Sequence, residues 1–144
     1  MSLNIVGDKP KKPLKSNVFT DTTGIIAREG IHQATVVSTN HVGRRRTKYG
    51  MKDFQMFVLS VFQLNDEGER ETAEIHQQYH RSFSPQSSLV AFLAAFGIKA
   101  HRGMTLDFDD LVGQKLSIVV THTKDANGGT HANVRPLPLK GVSQ

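Results

Sequence analysis

Cysteine and tryptophan are both missing from this chain of 144 residues, and only ten residues are aromatic, eight Phe and two Tyr. Without cysteine there is no disulfide framework, no thiolate zinc finger, no iron–sulfur cluster and no thiol nucleophile. Long apolar runs are missing too. The longest, residues 89–98, holds about ten residues, half of the roughly 20 that a membrane-spanning helix requires. The first six residues carry no positive charge and no apolar core of a secretion signal, so a cytoplasmic location is expected and a membrane partner is not. The hydrophobic fraction is 38% before the 12 glycines are added, which brings it near the ordinary globular range. A single folded domain is the expectation at this length.

The formal charge is +5 and is unevenly spread. Residues 1–50 carry nine basic and three acidic side chains, whereas residues 51–120 carry six basic and nine acidic. Two clusters account for the basic excess: Lys9, Lys11, Lys12 and Lys15 among prolines, and Arg44, Arg45, Arg46 and Lys48. Clustered cations favour a polyanionic partner, because they attract phosphates and release condensed counterions on contact. The first cluster reads more simply as part of a solvated arm.

Residues 1–24 have no sustained hydrophobic period and contain Pro10, Pro13 and Gly24, so an irregular N-terminal arm is expected there. Residues 31–40 (IHQATVVSTN) predict a first strand, and residues 43–50 (GRRRTKYG) a flexible loop bounded by glycines. Residues 53–64 (DFQMFVLSVFQL) form the strongest strand pattern, with Phe54, Met56, Val58, Phe62 and Leu64 in one apolar row and Phe57, Leu59 and Val61 in a second. Strict alternation would leave one face polar; here both faces need cover or a ligand. A turn at residues 65–68 leads to a third strand over 72–83. Ser84-Pro85 predicts a helix start, Leu89, Phe92, Leu93 and Phe96 supply its apolar stripe, and Gly97 its stop. A short helical turn over 107–112, a fourth strand over 115–123 and a fifth over 130–137 complete the pattern.

The order β-β-β-α-β-β predicts an all-β domain with one helix, a five-stranded Greek-key barrel of the OB type spanning residues 25–139, followed by a short tail at 140–144. In that architecture ligands lie on strands two and three, between the loop joining strands one and two and the loop joining strands four and five. Arg44–Lys48 falls in the first of those loops and Lys124 beside the second. The run LVAFLAAFGI at residues 89–98, the LVGQK sequence at 111–115 that leads into the fourth strand, and Asn133-Val134 resemble the C-terminal half of small phage-type OB-fold single-stranded DNA-binding proteins. The resemblance covers about half the chain and implies an accessory role in DNA replication or recombination, coating single strands. Positions 140–144 read Lys-Gly-Val-Ser-Gln rather than an acidic tail, so recruitment of partners through such a tail is not expected.

A single-strand binder needs cations along the backbone path and flat rings for bases to stack on. Arg44, Arg45, Arg46, Lys48, Arg81, Lys124 and Arg135 are the candidate phosphate contacts, with a solvated surface role as the alternative for Arg81 and Arg135. Tyr49, Phe57 and Tyr79 are the candidate stacking rings. For Phe57 the alternative is burial under the helix, the arm or a second copy, and for Tyr79 it is core packing with its hydroxyl at the rim. Phe54, Phe62, Phe92 and Phe96 are assigned to the core. The row Phe57, Leu59, Val61 also suggests a contact between subunits of a homo-oligomer.

No catalytic residue and no cofactor are expected. Four residues on a strand span about 13 Å, which separates His76 from His80 too far for one metal. His122 and His131 lack a third ligand. Asp107, Asp109 and Asp110 suit a helix N-terminal turn, and residues 43–50 lack the P-loop pattern. The expectations are a non-catalytic single-stranded DNA binder or, alternatively, a protein-assembly module or an RNA binder, since nothing in the sequence selects the 2′-hydroxyl.

Overall fold

The computed structural model describes residues 25–139. The arm at 1–24, with its Lys9–Lys15 cluster, and the tail at 140–144 lie outside the described residues. Five strands and one short helix follow one another: β1 (Gly30–Thr47), β2 (Gly50–Leu64), β3 (Arg70–His80), α1 (Ser88–Ala94), a 3-10 turn (Phe108–Leu111), β4 (Lys115–Lys124) and β5 (Thr130–Pro136). All ladders are antiparallel, and the sheet order is β3-β2-β1-β4-β5. The domain is therefore all-β with one helix, and its order and helix placement fit the OB type.

β1 organises the sheet. Its first third, Gly30 to Thr35, pairs with β4, while Ala34 to Thr47 pairs with β2. The register with β2 slips between Val36 and Ser38 and again between His41 and Gly43. Each slip inserts one extra residue, which bends a strand and increases its twist. That curvature lets one strand serve both walls. Beyond the β1–β4 ladder, Val36 N–H donates to the Gln114 carbonyl at 2.9 Å and Gly113 N–H to the Val36 carbonyl at 2.8 Å, so the seam continues into the residues that link the 3-10 turn to β4.

The predicted loop over 43–50 is instead the end of this hairpin. Arg44, Arg45 and Arg46 are paired with Asp53, Lys52 and Met51, and only Lys48 and Tyr49 remain in the turn. Gly50 takes φ +106°, a conformation that favours glycine. Thr47 Oγ1 closes the turn, donating to the Gly50 carbonyl at 2.8 Å and accepting from Tyr49 N–H at 3.1 Å.

The helix also starts later than Ser84-Pro85 suggests. Ser87 is the N-cap, its hydroxyl accepting from Leu89 N–H at 3.1 Å. Gly97, at φ +83°, ends the segment: its N–H donates to the Ala94 carbonyl at 3.0 Å and Ile98 N–H to the Leu93 carbonyl at 3.1 Å. This is the paired hydrogen-bond pattern of a left-handed helix stop.

The core settles which row of β2 faces inward. Phe57, Leu59 and Val61 have no exposed surface, and they meet Ala73 and Ile75 of β3, Ala34 and Val36 of β1, Leu116, Ile118 and Val120 of β4, and Leu89, Phe92 and Leu93 of the helix. Phe57 is the hub, its ring 4.6 Å from Phe92 and 5.6 Å, edge-on, from Phe108. The Phe57, Leu59, Val61 row is therefore the inside of the barrel, not a contact between subunits. Phe54 and Phe62, expected in the core, stand on the opposite, outer row, where Phe54, Met56 and Val58 are half-buried. Phe62 is 77% exposed and Leu64 56%. No helix among the described residues is long and apolar enough to cross a membrane.

Candidate nucleic-acid interface

The outward row of β2 runs Phe54, Met56, Val58, Ser60, Phe62, Leu64, because its register partners on β3 alternate with the buried Ala73, Ile75 and Tyr79. Those partners are His80, Gln78, His76, Glu74, Thr72 and Arg70 in the same order. The outer face is thus an apolar ridge bordered by groups that donate and accept hydrogen bonds. From Phe54 to Phe62 is about 26 Å at strand spacing. Phe54 lies 6.1 Å from the His80 ring and beneath the Arg45 guanidinium, which sits 5.7 Å from its centroid. Arg45 also donates to Gln78 Oε1, so cation, ring and amide are held as one group at the hairpin end of the ridge. At the tip, Lys48 Nζ lies 5.3 Å from the centre of the Tyr49 ring, which is 77% exposed.

The register splits the arginine cluster. Arg45 pairs with Lys52 on the outer face, while Arg44 pairs with Asp53 and Arg46 with Met51 on the inner one. Asp53 anchors that inner side of the hairpin. His41 Nε2 is 2.6 Å from its Oδ1, Arg81 donates to its Oδ2 at 3.1 Å, and Arg81 N–H donates to its carbonyl at 2.8 Å. The hydrogen bond from His41, then that from Arg81, holds the Asp53 carboxyl below the ordinary carboxylate value against the opposing effect of desolvation. Arg81 lies 5.7 Å over the Phe108 ring.

Two expected stacking rings are excluded by burial. Phe57 has no exposed surface, so no base can reach its face. Tyr79 is 7% exposed, its ring stacked 4.8 Å from Phe92, and burial pushes its hydroxyl well above the ordinary tyrosine value. Of the three rings singled out from the sequence, Tyr49 alone is open. The rings that the sequence assigned to the core, Phe54 and Phe62, occupy the outer ridge instead. The polar outer-face partners on β3 were the available signal: His76, Gln78 and His80 mark the solvent side, and antiparallel pairing carries that phase to β2.

Lys124 and Arg135 belong to the other wall. Lys124 pairs with Thr130 at the mouth of the β4–β5 hairpin and Arg135 with Val119; both are exposed, and β1 and β4 lie between β5 and β2 in the sheet. The structure brings Arg45, Lys48 and Tyr49 to the hairpin end of the ridge, places Arg81 at the barrel mouth, and leaves Lys124 and Arg135 apart. His122 and His131 are also separately engaged, His122 Nε2 lying 2.7 Å from the Ala27 carbonyl and His131 Nε2 2.8 Å from Asp125 Oδ2. Among the described residues no group of three or more His, Asp or Glu side chains converges to hold a metal ion. No protein-family model matches the chain, and no curated protein matches it.

Proposed function

We propose that this protein is a non-catalytic binder of single-stranded DNA with little sequence preference, serving DNA replication, recombination or repair. The observation that carries the proposal is the outer ridge of β2: Phe54, Met56, Val58 and Phe62 on one face, flanked by His76, Gln78 and His80, with Arg45, Lys48 and Tyr49 at one end. Every base has a π-face, so stacking on such a ridge is sequence-tolerant, and the cations supply phosphate contacts. A duplex keeps its bases stacked inside and offers no faces to Phe62 or Tyr49.

The test is fluorescence anisotropy of a labelled 30-nucleotide strand, with matched duplex and RNA, at two salt concentrations. Binding to the single strand in preference to duplex, weakening steeply with salt, supports the proposal; absence of binding at low salt refutes it. Arg45→Ala should lower the slope of log affinity against log salt by about 0.7, the value of one released phosphate contact on a single strand. Arg135→Ala, on the far wall, should lower it less.

A second reading, a protein-assembly module, draws on Phe62 at 77% and Leu64 at 56% exposure, side by side on the outer face at the end of β2 remote from Arg44–Arg46. Sedimentation in the absence of DNA separates the two. An oligomer that dissociates on Phe62→Ser, with no DNA affinity, favours assembly.

A further inference from the structure

Beneath the β1–β2 hairpin, at the mouth of the barrel, a cavity of about 380 Å³ is lined by Asp53, Arg81, Phe83, Met104, Leu106 and Phe108 among others. Its volume falls in the range of small-molecule pockets, about 300–1,000 Å³, and its lining sets the polar Asp53, Arg81, Ser82 and Thr105 beside Phe83, Met104, Leu106 and Phe108. We infer that this pocket receives one guanine base of the bound strand, an inference that rests on the single-strand proposal above. Three observations carry it.

The first is the pairing of acceptor and donor. Asp53 receives one contact on each oxygen, from His41 at 2.6 Å and from Arg81 at 3.1 Å. An ionised carboxylate has about four lone-pair sites, so each oxygen keeps one for a ligand. Arg81 uses Nη1 on Asp53, and among the described residues its remaining guanidinium N–H groups make no hydrogen bond. Adjacent acceptors and a free donor thus stand side by side.

The second is the match to one base. Guanine presents two neighbouring donors, N1–H and the N2 amino group, beside the O6 acceptor. The carboxylate takes the donor pair and the guanidinium takes O6. Adenine would set its N1 lone pair against the carboxylate, and cytosine its N3. Thymine offers a single N–H between two carbonyls. A site built to bond a donor rejects bases that lack it, because its own polar groups are left unpaired.

The third is position. Asp53 immediately precedes Phe54, which begins the outer ridge, and its register partner is Arg44 on the inner side of the hairpin. Asp53 faces inward and the ridge outward, so a base of a strand on the ridge enters by turning around the edge of β2 beyond the end of β3, where Arg45 stands on the outer side and Arg44 on the inner. Phe83, Met104 and Phe108 supply apolar sides such as an extruded base requires.

The test compares dT30 with the same strand carrying one central dG, dA, dC or deoxyinosine, by anisotropy at fixed salt. Inosine keeps N1–H and O6 but lacks the N2 amino group. The dG strand should bind about tenfold more tightly than dT30, and the dA, dC and inosine strands should lose most of that gain. Asp53→Asn should abolish the preference for dG, read as the ratio of the dG-strand affinity to the dT30 affinity of the same variant. Equal affinity for dT30 and the dG strand, or a dG preference that survives both inosine and Asp53→Asn, overturns this inference and leaves the single-strand proposal standing. Absence of binding to any strand overturns both.

Discussion

Phe57 and Phe62 lie on the same strand in opposite surroundings, one with no exposed surface and the other 77% exposed. Phe57→Ala should destabilise the domain by about 3–5 kcal/mol in chemical denaturation, since it empties the hub of the core. Phe62→Ala should shift stability by no more than about 0.5 kcal/mol yet weaken single-strand binding by about 1–3 kcal/mol, the worth of one stacked base. Gln55 is a second contrast within β2. It is 4% exposed, its Nε2 donates to Thr39 Oγ1 at 2.8 Å, and its Oε1 accepts no hydrogen bond among the described residues. Thr39 Oγ1 itself donates to the Met56 carbonyl at 2.7 Å, so removing Gln55 orphans nothing. Gln55→Leu should therefore be neutral or stabilising by up to about 1 kcal/mol. Tyr79 supplies a titration. Only two tyrosines exist, so in a Tyr49→Phe variant phenolate absorbance reports Tyr79 alone. Its onset should come above the ordinary tyrosine value near pH 10. The stability linked to Tyr79 is complete below that pH and is lost as pH climbs through the raised folded value.

Among the elements, the helix is only seven residues long, too short to form without tertiary packing, and its cap is correspondingly consequential. Ser87→Ala should lower stability by about 1 kcal/mol, whereas Ser84→Ala, one turn earlier, should not. The β4–β5 hairpin has its own fastening in Asp125. Its Oδ1 accepts from Asn127 N–H at 2.9 Å and Gly129 N–H at 2.8 Å, and its Oδ2 meets His131 at 2.8 Å. The hydrogen bond from His131, then those from the backbone amides, holds the Asp125 carboxyl below its ordinary value. Its contribution is present above the unfolded carboxylate pKa, near 4, and is lost as pH falls through the lowered folded value. Asp125→Ala should lower the hydrogen-exchange protection of the Asn127 and Gly129 amides, and acidification of the parent protein should lower it too once the slower intrinsic rate at low pH is divided out.

The number, order and type of the elements were legible because each has its own local signal, such as the β-branched run in β4 or the Leu89, Phe92, Leu93 stripe of the helix. The phase of β2 was not. Both of its rows are apolar, so alternation alone cannot say which one the helix covers; that is decided by the partners that pairing brings opposite. The Arg44–Arg46 segment has little strand propensity and is extended because Met51, Lys52 and Asp53 pair with it. Of the candidate site, the basic hairpin and Tyr49 could be read directly, while Phe54 and Phe62 required the pairing register.

Over the whole molecule, Arg45, Lys48 and Tyr49 gather at the hairpin end of the β2 ridge. Affinity for single strands should fall along a straight line in log salt, with a slope that counts phosphate contacts. Replacing Arg44, Arg45 and Arg46 together should flatten that line for every sequence tested, and an unchanged slope would show that the hairpin does not touch the backbone. The use of β1 by both walls has a temporal side as well. Its later portion finds β2 across a tight turn, but its first six residues pair with residues 115–120, some eighty positions further on. Pairings so distant in sequence form late. While the chain is emerging from the ribosome, β1, β2 and β3 can assemble before α1 and β4 exist. During that interval Phe57, Leu59 and Val61 face water as a naked greasy sheet, and a growing chain in that state is what a chaperone would grip.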